Sequence, residues 1–249
     1  MPAILITGCS SGFGLAIARR FLDRGWRVIA TMRRPDPDLL PAAPGLTILP
    51  LDVTDPQSIA TAVAQAGEID VLVNNAGFGA AVPIELIEPD TARALFETNL
   101  LGTLAMVQAV LPQFRARRAG TIVNITSSVT LKPLPLVSVY RASKAAVNAL
   151  SESLAAEVAP FGVRVRIVLP GRAPETRFGA NAMPHLRGLD HPDYKPMLDA
   201  MIAGFRESGG PVTQMEDVAE AVWRAATDPD APLRIPAGAD AVQWMAEAG

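Results

Sequence analysis

The chain has 249 residues, 49% hydrophobic and 19% charged, which fits a soluble globular protein and is enough for one large α/β domain with a substantial core. A formal net charge of -3 and a pI near 5.5 argue against nucleic acid as the main partner. Its single cysteine, Cys9, excludes an internal disulfide and a cysteine-rich metal site.

Ala3–Ile6 is a short apolar run of strand type. It leads into Thr7-Gly8-Cys9-Ser10-Ser11-Gly12-Phe13-Gly14, after which Leu15–Leu22 reads as an amphipathic helix. Three glycines at a strand-to-helix turn permit unusual backbone angles and let a pyrophosphate approach the main chain. The N–H groups and dipole at the helix start favour its negative charge. An ordinary glycine-rich turn is the plainer alternative; the strand before and helix after favour a nucleotide. Cys9 reads as a small loop residue rather than a reactive thiol.

The alternation then continues. Arg27–Thr31 and Leu46–Leu51 read as strands two and three, with a proline-marked loop between them. Asp55 is the expected N-cap of a helix whose first residue is Pro56. Asp70–Asn74 is a fourth strand, nearly all apolar, as a strand covered on both faces should be. A long helix is predicted from about Asp90 to Arg117, a fifth strand over Thr121–Ile125, and a helix from about Val139 to Ala159. Val163–Leu169 is the sixth strand, ending at Pro170-Gly171, and a last one lies near Leu233–Ile235. Strand and helix in turn imply one Rossmann-type domain over 1–249, a doubly wound parallel sheet with helices on both faces and sites at the carboxyl ends of its strands.

Tyr140 and Lys144 lie four apart in the predicted helix, so they share a face. A free tyrosine titrates near ~10 and exchanges protons poorly at neutral pH. A fixed ammonium beside it favours the phenolate and makes it a usable acid or base. Alone the pair means little; its weight comes from the glycine loop and from Ser127, thirteen residues before the tyrosine.

Taken together these motifs resemble the short-chain dehydrogenase/reductase family. The resemblance runs to about Thr176 and rests on the glycine loop, Asn74-Asn75-Ala76-Gly77 after strand four, Asn99, Ser127, Tyr140, Lys144 and Pro170-Gly171. The phrases Ala30–Pro35 and Leu51–Asp55 resemble its hydroxysteroid- and retinol-type branch. The resemblance implies an oxidoreductase that interconverts a carbonyl and an alcohol. Tyr140 would be the general acid/base and Ser127 would bond the substrate oxygen, with Ser128 as a competing assignment. Lys144 would lower the tyrosine pKa and hold the nicotinamide ribose. Asn99 would bind a water in the proton relay. Two hydroxyls near the carbonyl oxygen would stabilise charge where it develops.

The same resemblance implies a cofactor cleft lined by Gly8, Ser10, Ser11, Gly12, Phe13, Gly14, Asn75, Ala76 and Gly77, with Asp52 at the adenine ring, Val53 beside it, and Tyr140 and Lys144 at the nicotinamide end. A fold selecting NAD commonly ends strand two on an acid. Here the chain reads Met32-Arg33-Arg34, and an arginine can bind a 2′-phosphate by charge-assisted bonds. NADP(H) is therefore preferred over NAD(H), with Arg33 as the reader. After Pro170-Gly171 the expected threonine arrives one residue late, as Thr176, which leaves Ala173 as the better main-chain donor. Arg172 would meet an acidic substrate group or cap the loop.

The segment 177–212 is the expected substrate lid, with Phe178, Met183, Leu189, Tyr194 and Phe205 among its apolar residues. Such lids exclude water and set specificity. His185 and His191, six apart within it, read as surface or substrate-loop residues, and no metal is expected. The expected partners are a hydrophobic small-molecule carbonyl or alcohol and further copies of the chain, as homodimer or homotetramer, through the Asn99 and Tyr140 helices. No run reaches ~18 uninterrupted apolar residues, so neither a membrane nor a nucleic acid is expected, and a cytoplasmic setting is the default. The alternatives are a catalytically idle NADP(H)-binding sensor and, among enzymes, a 3-oxoacyl carrier-protein reductase.

Overall fold

The apolar runs form β1 (Ala3–Ile6), β2 (Arg27–Met32), β3 (Leu46–Pro50), β4 (Val71–Asn74), β5 (Gly120–Ile125), β6 (Val163–Pro170) and β7 (Arg234–Ala237) in the computed structural model. The structure describes residues 1–249 apart from Leu189, Ser208 and Gly249, and the side chains of residues 205–207 also lie outside the description. All seven strands pair in parallel, in the order β3-β2-β1-β4-β5-β6-β7. Parallel strands need crossovers, and these are α1 (Gly12–Asp23), α2 (Pro56–Ala66), α3 (Pro89–Phe96), α4 (Gly102–Arg117), α5 (Ser138–Val158) and α8 (Met215–Thr227), with α6 (Phe178–Ala182) and α7 (Lys195–Glu207) before α8 and α9 (Ala239–Ala248) at the end.

The period-two pattern decides which layer each strand residue joins. Ile4 and Ile6 pack with Ile17 and Phe21 of α1 and Val218 and Val222 of α8. Ala3 and Leu5 point the other way, toward Ile59 of α2, Met106 and Phe114 of α4 and Leu154 of α5. Burial on both faces therefore explains why β1 and β4 read as nearly unbroken apolar runs. Asp55 caps α2 as expected, accepting from the Gln57 backbone N–H at 2.9 Å. Asp70 falls outside β4; its carboxylate accepts from the Ala3 backbone N–H at 2.7 Å instead.

One predicted helix differs in detail. The stretch from Asp90 to Arg117 is broken at Glu97–Leu101 by a π turn between α3 and α4. That wider turn carries Asn99, which is 1% exposed. Gly102, next in line, lies where a Cβ would stand 2.8 Å from Val53 Cγ2, so α4 seats tightly on the segment after β3.

Candidate active site

The chain runs outward from β1 to β3 and then crosses back to β4, so the connections at the carboxyl ends of β1 and β4 part at the middle of the sheet. A cleft of about 720 Å³ opens there. Gly8 and Gly12 form part of its wall with φ of 76° and 56°, conformations that favour glycine. Ser10, Ser11 and Phe13 line it as well. Gly14 does not; a Cβ there would stand 2.6 Å from Asn75 Nδ2 and closer still to the Gly8 carbonyl, so this glycine lets α1 close on its own loop. No side chain caps the start of α1, which leaves its first N–H groups for an anion.

Thr7 binds the two halves of the cleft together and was not singled out from the sequence. Its Oγ1 accepts from the backbone N–H groups of Asn75 at 3.0 Å and Ala76 at 2.9 Å. Asn75 Nδ2 donates back to the carbonyls of Thr7 at 2.8 Å and Gly8 at 3.1 Å. Asn75, Ala76 and Gly77 thus face the cleft opposite the glycine loop. Cys9 is fully buried, and burial pushes its thiol up to about 12, which suits packing rather than reactivity.

At the adenine end, Arg33, Asp52, Val53 and Thr54 line the cleft. Asp52 accepts from the Thr54 N–H at 3.0 Å and hydroxyl at 2.7 Å. Those bonds hold its carboxyl below the usual range, and neighbouring Arg33 adds to the effect. Arg34 is exposed and does not line the cleft.

At the other end Tyr140 and Lys144, one turn apart on α5, are 7% and 6% exposed. The Ser127 hydroxyl is the one hydrogen-bonded to Tyr140; Ser128 is 2% exposed and buried behind. The expected lowering of the tyrosine by Lys144 does not dominate here. Burial pushes Tyr140 up to about 12, with the Ser127 bond opposing it. Lys144 Nζ donates to the Ile125 carbonyl at 3.0 Å, and burial draws it down to about 8. Asn99 lies under the cleft wall: a Cβ on Gly77 would stand 2.8 Å from Asn99 Oδ1 and 3.2 Å from Lys144 Nζ. Its side chain exchanges bonds with the Phe78 N–H (3.1 Å) and carbonyl (3.0 Å) and donates to Ser143 Oγ at 3.0 Å.

The residues after β6 divide between the cleft and the base of the lid segment. Pro170, Gly171 and Ala173 do not line the cleft, whereas Thr176 does. The extra residue is absorbed by a tight turn in which the Thr176 N–H and Oγ1 both donate to the Ala173 carbonyl, at 3.2 and 2.9 Å. That turn carries Thr176 to within 3.5 Å of where a Gly12 Cβ would be. Gly171 serves another purpose, because a Cβ on it would collide with the Asp240 carboxylate. Asp240, 7% exposed in the first turn of α9, accepts from the Arg172 N–H at 2.6 Å and lies 2.7 Å from Thr213 Oγ1. The Thr213 N–H also donates to the Arg172 carbonyl at 2.8 Å, so both ends of the 177–212 excursion are clasped at its base. Arg172 Nη1 bonds the Gly204 carbonyl at 3.2 Å, bridging that base to α7. Gly171→Ala is therefore expected to lower stability by about 1–3 kcal/mol, as overpacking against a buried carboxylate does. An unchanged urea midpoint would contradict this.

From the lid segment Arg177, Phe178, Asn181 and His185 reach the cleft. His185 stacks on Phe78, with ring centroids 5.1 Å apart. His191 instead packs on Tyr194. Arg187 pins the segment to Glu88 at 3.1 Å. Leu189 and the Phe205 side chain lie outside the described residues.

The donors and cradles fit a nicotinamide dinucleotide: N–H groups at the start of α1 that no side chain caps, and glycines of positive φ in the cleft wall. Residues 2–185 match the family model described as short chain dehydrogenase. An oxidoreductase (BOA17) from Botryotinia fuckeliana is 34% identical over 98% of this chain and 91% of its own length. Bovine retinol dehydrogenase 8 is 34% identical over 93% and 80%. Among solved structures, a short-chain dehydrogenase from Streptomyces avermitilis superposes with a TM-score of 0.87 at 35% identity, covering 99% of this chain and 91% of the other. A serine dehydrogenase in its closed form with NADP+ gives 0.82 at 30% identity, covering 95% and 94%. A 3-ketoacyl-(acyl-carrier-protein) reductase from Brucella melitensis with NADH gives 0.79 at 25%, covering 95% and 96%.

Proposed function

The chain belongs to the short-chain dehydrogenase family, and on that premise we propose that it is an NADP(H)-dependent oxidoreductase interconverting a ketone or aldehyde with its alcohol. The observation that carries this reading is the buried Tyr140, with Ser127 beside it and Lys144 one turn further along α5: Tyr140 and Lys144 line the same glycine-walled cleft as Arg33. An idle sensor would not require that hydroxyl pair at the end of its nucleotide cleft.

The bound nicotinamide would supply the hydride. Ser127 Oγ and Tyr140 Oη bond the substrate oxygen, and Tyr140 gives it a proton as negative charge develops there. Lys144 Nζ, anchored on the Ile125 carbonyl, would hold the ribose hydroxyls of the bound cofactor. Asn99 holds the Phe78 backbone and Gly77 against Lys144, which fixes the wall from behind. Phe78, Phe178 and His185 enclose the reacting end and favour a hydrophobic substrate from which water is excluded. Because burial keeps Tyr140 protonated at neutral pH, its resting state is the one that reduction needs.

The outer face of Pro89–Arg117 supports a homo-oligomer as part of this reading. This helix has a mean hydropathy of 1.4 with only 39% of its apolar window buried, and Leu101 is 44% exposed. A second copy would cover that face.

Titration with NADPH and NADH, followed by a ketone panel under saturating cofactor, tests the reading through loss of reduced-nicotinamide absorbance. Tight NADPH binding with turnover is the expected result. Binding without turnover on every ketone would favour the sensor, and no nucleotide binding would sink both.

A further inference from the structure

Phe178 opens α6, at the start of the lid, yet its ring lies across the reacting end of the cleft. Its centroid is 5.5 Å from that of Tyr140 at an interplanar angle of 55°, a tilted aromatic contact. The ring seats in a notch that exists because residue 79 is glycine. A Cβ on Gly79 would stand 2.9 Å from Phe178 Cε1 and closer still to Cζ, and its three nearest neighbours would all be atoms of that ring. Gly79 is not among the glycines with positive φ, so an alanine there would be strained by contact with the ring rather than by its backbone. The notch continues into an apolar wall of Ala80, Val82 and Leu95 that also holds Tyr140. On its other side Phe178 is 42% exposed, while the tyrosine under it is 7% exposed. The ring is thus a cover with room to swing outward. Its backbone is held by a 3.3 Å bond from the Phe178 N–H to Thr176 Oγ1, so the hinge sits beside a residue that also lines the cleft.

We propose that Phe178 is a specificity-determining residue: seated in the Gly79 notch, its ring covers Tyr140 and sets the width of the carbonyl compound that can reach it. This rests on the oxidoreductase reading for its substrate half and on geometry alone for its cover half. A narrow ketone shares the space beside the ring, whereas a broad one must displace it. A single methylene more or less in a hydrophobic pocket already changes discrimination by about 10–200-fold. Two substitutions on different elements should therefore act alike. Phe178→Ala deletes the ring, and Gly79→Ala evicts it while leaving it on the chain.

The chain has two tyrosines, Tyr140 and Tyr194, so in a Tyr194→Phe background phenolate absorbance reports Tyr140 alone. Burial holds that group at about 12. Both Phe178→Ala and Gly79→Ala should move the midpoint down by roughly one pH unit as water reaches the phenol. With NADPH, both should raise the kcat/KM ratio of a fused bicyclic ketone (a decalone) over cyclohexanone by about tenfold or more. Midpoints that stay in place in both variants, with unfolding temperature preserved, overturn the cover whatever the kinetics show. Moved midpoints with an unchanged ketone ratio overturn the specificity role. If the unsubstituted protein binds NADPH but reduces neither ketone, the oxidoreductase reading is in trouble, and the titration still decides whether Phe178 covers Tyr140.

Discussion

Tyr140→Phe is expected to reduce ketones about 10²–10⁴-fold more slowly while binding NADPH within a factor of about three of the unsubstituted protein. The substitution removes one oxygen and keeps the ring, which packs with Ala80, Val82 and Leu95 and against Phe178. No cavity opens, so the loss falls on proton donation and on the Ser127 hydrogen bond rather than on folding. The pH profile separates the two ionisable partners. The profile of kcat/KM reports groups of the free enzyme. Tyr140 stays protonated until about 12, so it cannot set the alkaline limb of reduction. Lys144 is cationic below about 8 and loses its charge as pH rises through that value. The limb is therefore expected near 8, with reduction weakened as pH climbs through that value. Lys144→Arg, which stays charged throughout, should remove it. A limb that persists unchanged in Lys144→Arg would show that another group governs the reaction.

The central sheet and the motif-bearing helices were legible because their signals are local. An apolar run buried on both faces reads as a strand before any partner is known, and Asp55-Pro56 announces the start of α2 by its own chemistry. Tyr140 and Lys144 were legible because a helix fixes their common face. What escaped depends on contacts between distant segments. The π turn at Glu97–Leu101 leaves no mark in an otherwise regular apolar helix, and its reason, Asn99 bonding the Phe78 backbone, lies 21 residues away. The upward push on Tyr140 also needed three dimensions, because spacing shows a neighbouring charge but not how much water the wall excludes. The packing of Gly171 was hidden for the same reason: the carboxylate that a Cβ there would meet belongs to Asp240, far along the chain. One omission was avoidable. The reciprocal cap of Gln214 and Asp217, followed by Val218, Ala221, Val222 and Ala225 on one face, marks α8 in sequence alone.

Arg33→Ala is expected to weaken NADPH about 10–100-fold and NADH by less than about threefold, since a charge-assisted bond contributes roughly 1.5–3 kcal/mol. Arg33 follows the last residue of β2, is exposed, and lines the adenine end of the cleft. The neighbouring carboxylate of Asp52 is bound to the Thr54 N–H and hydroxyl and held in its charged form. Removing the guanidinium therefore does more than delete a donor: it leaves that negative charge facing the 2′-phosphate, which NADH lacks. The asymmetry between the cofactors should accordingly shrink as salt screens the repulsion, over a Debye length of roughly 10 Å at 0.1 M and 3 Å at 1 M. Arg33→Asp should go further and reverse the preference, because an acid after strand two can accept from the ribose 2′-hydroxyl and repels the phosphate. Calorimetric titration of both nucleotides at low and high salt reads all of these outcomes. Equal weakening toward NADPH and NADH would assign Arg33 to the adenosine they share and remove the basis for preferring NADP(H).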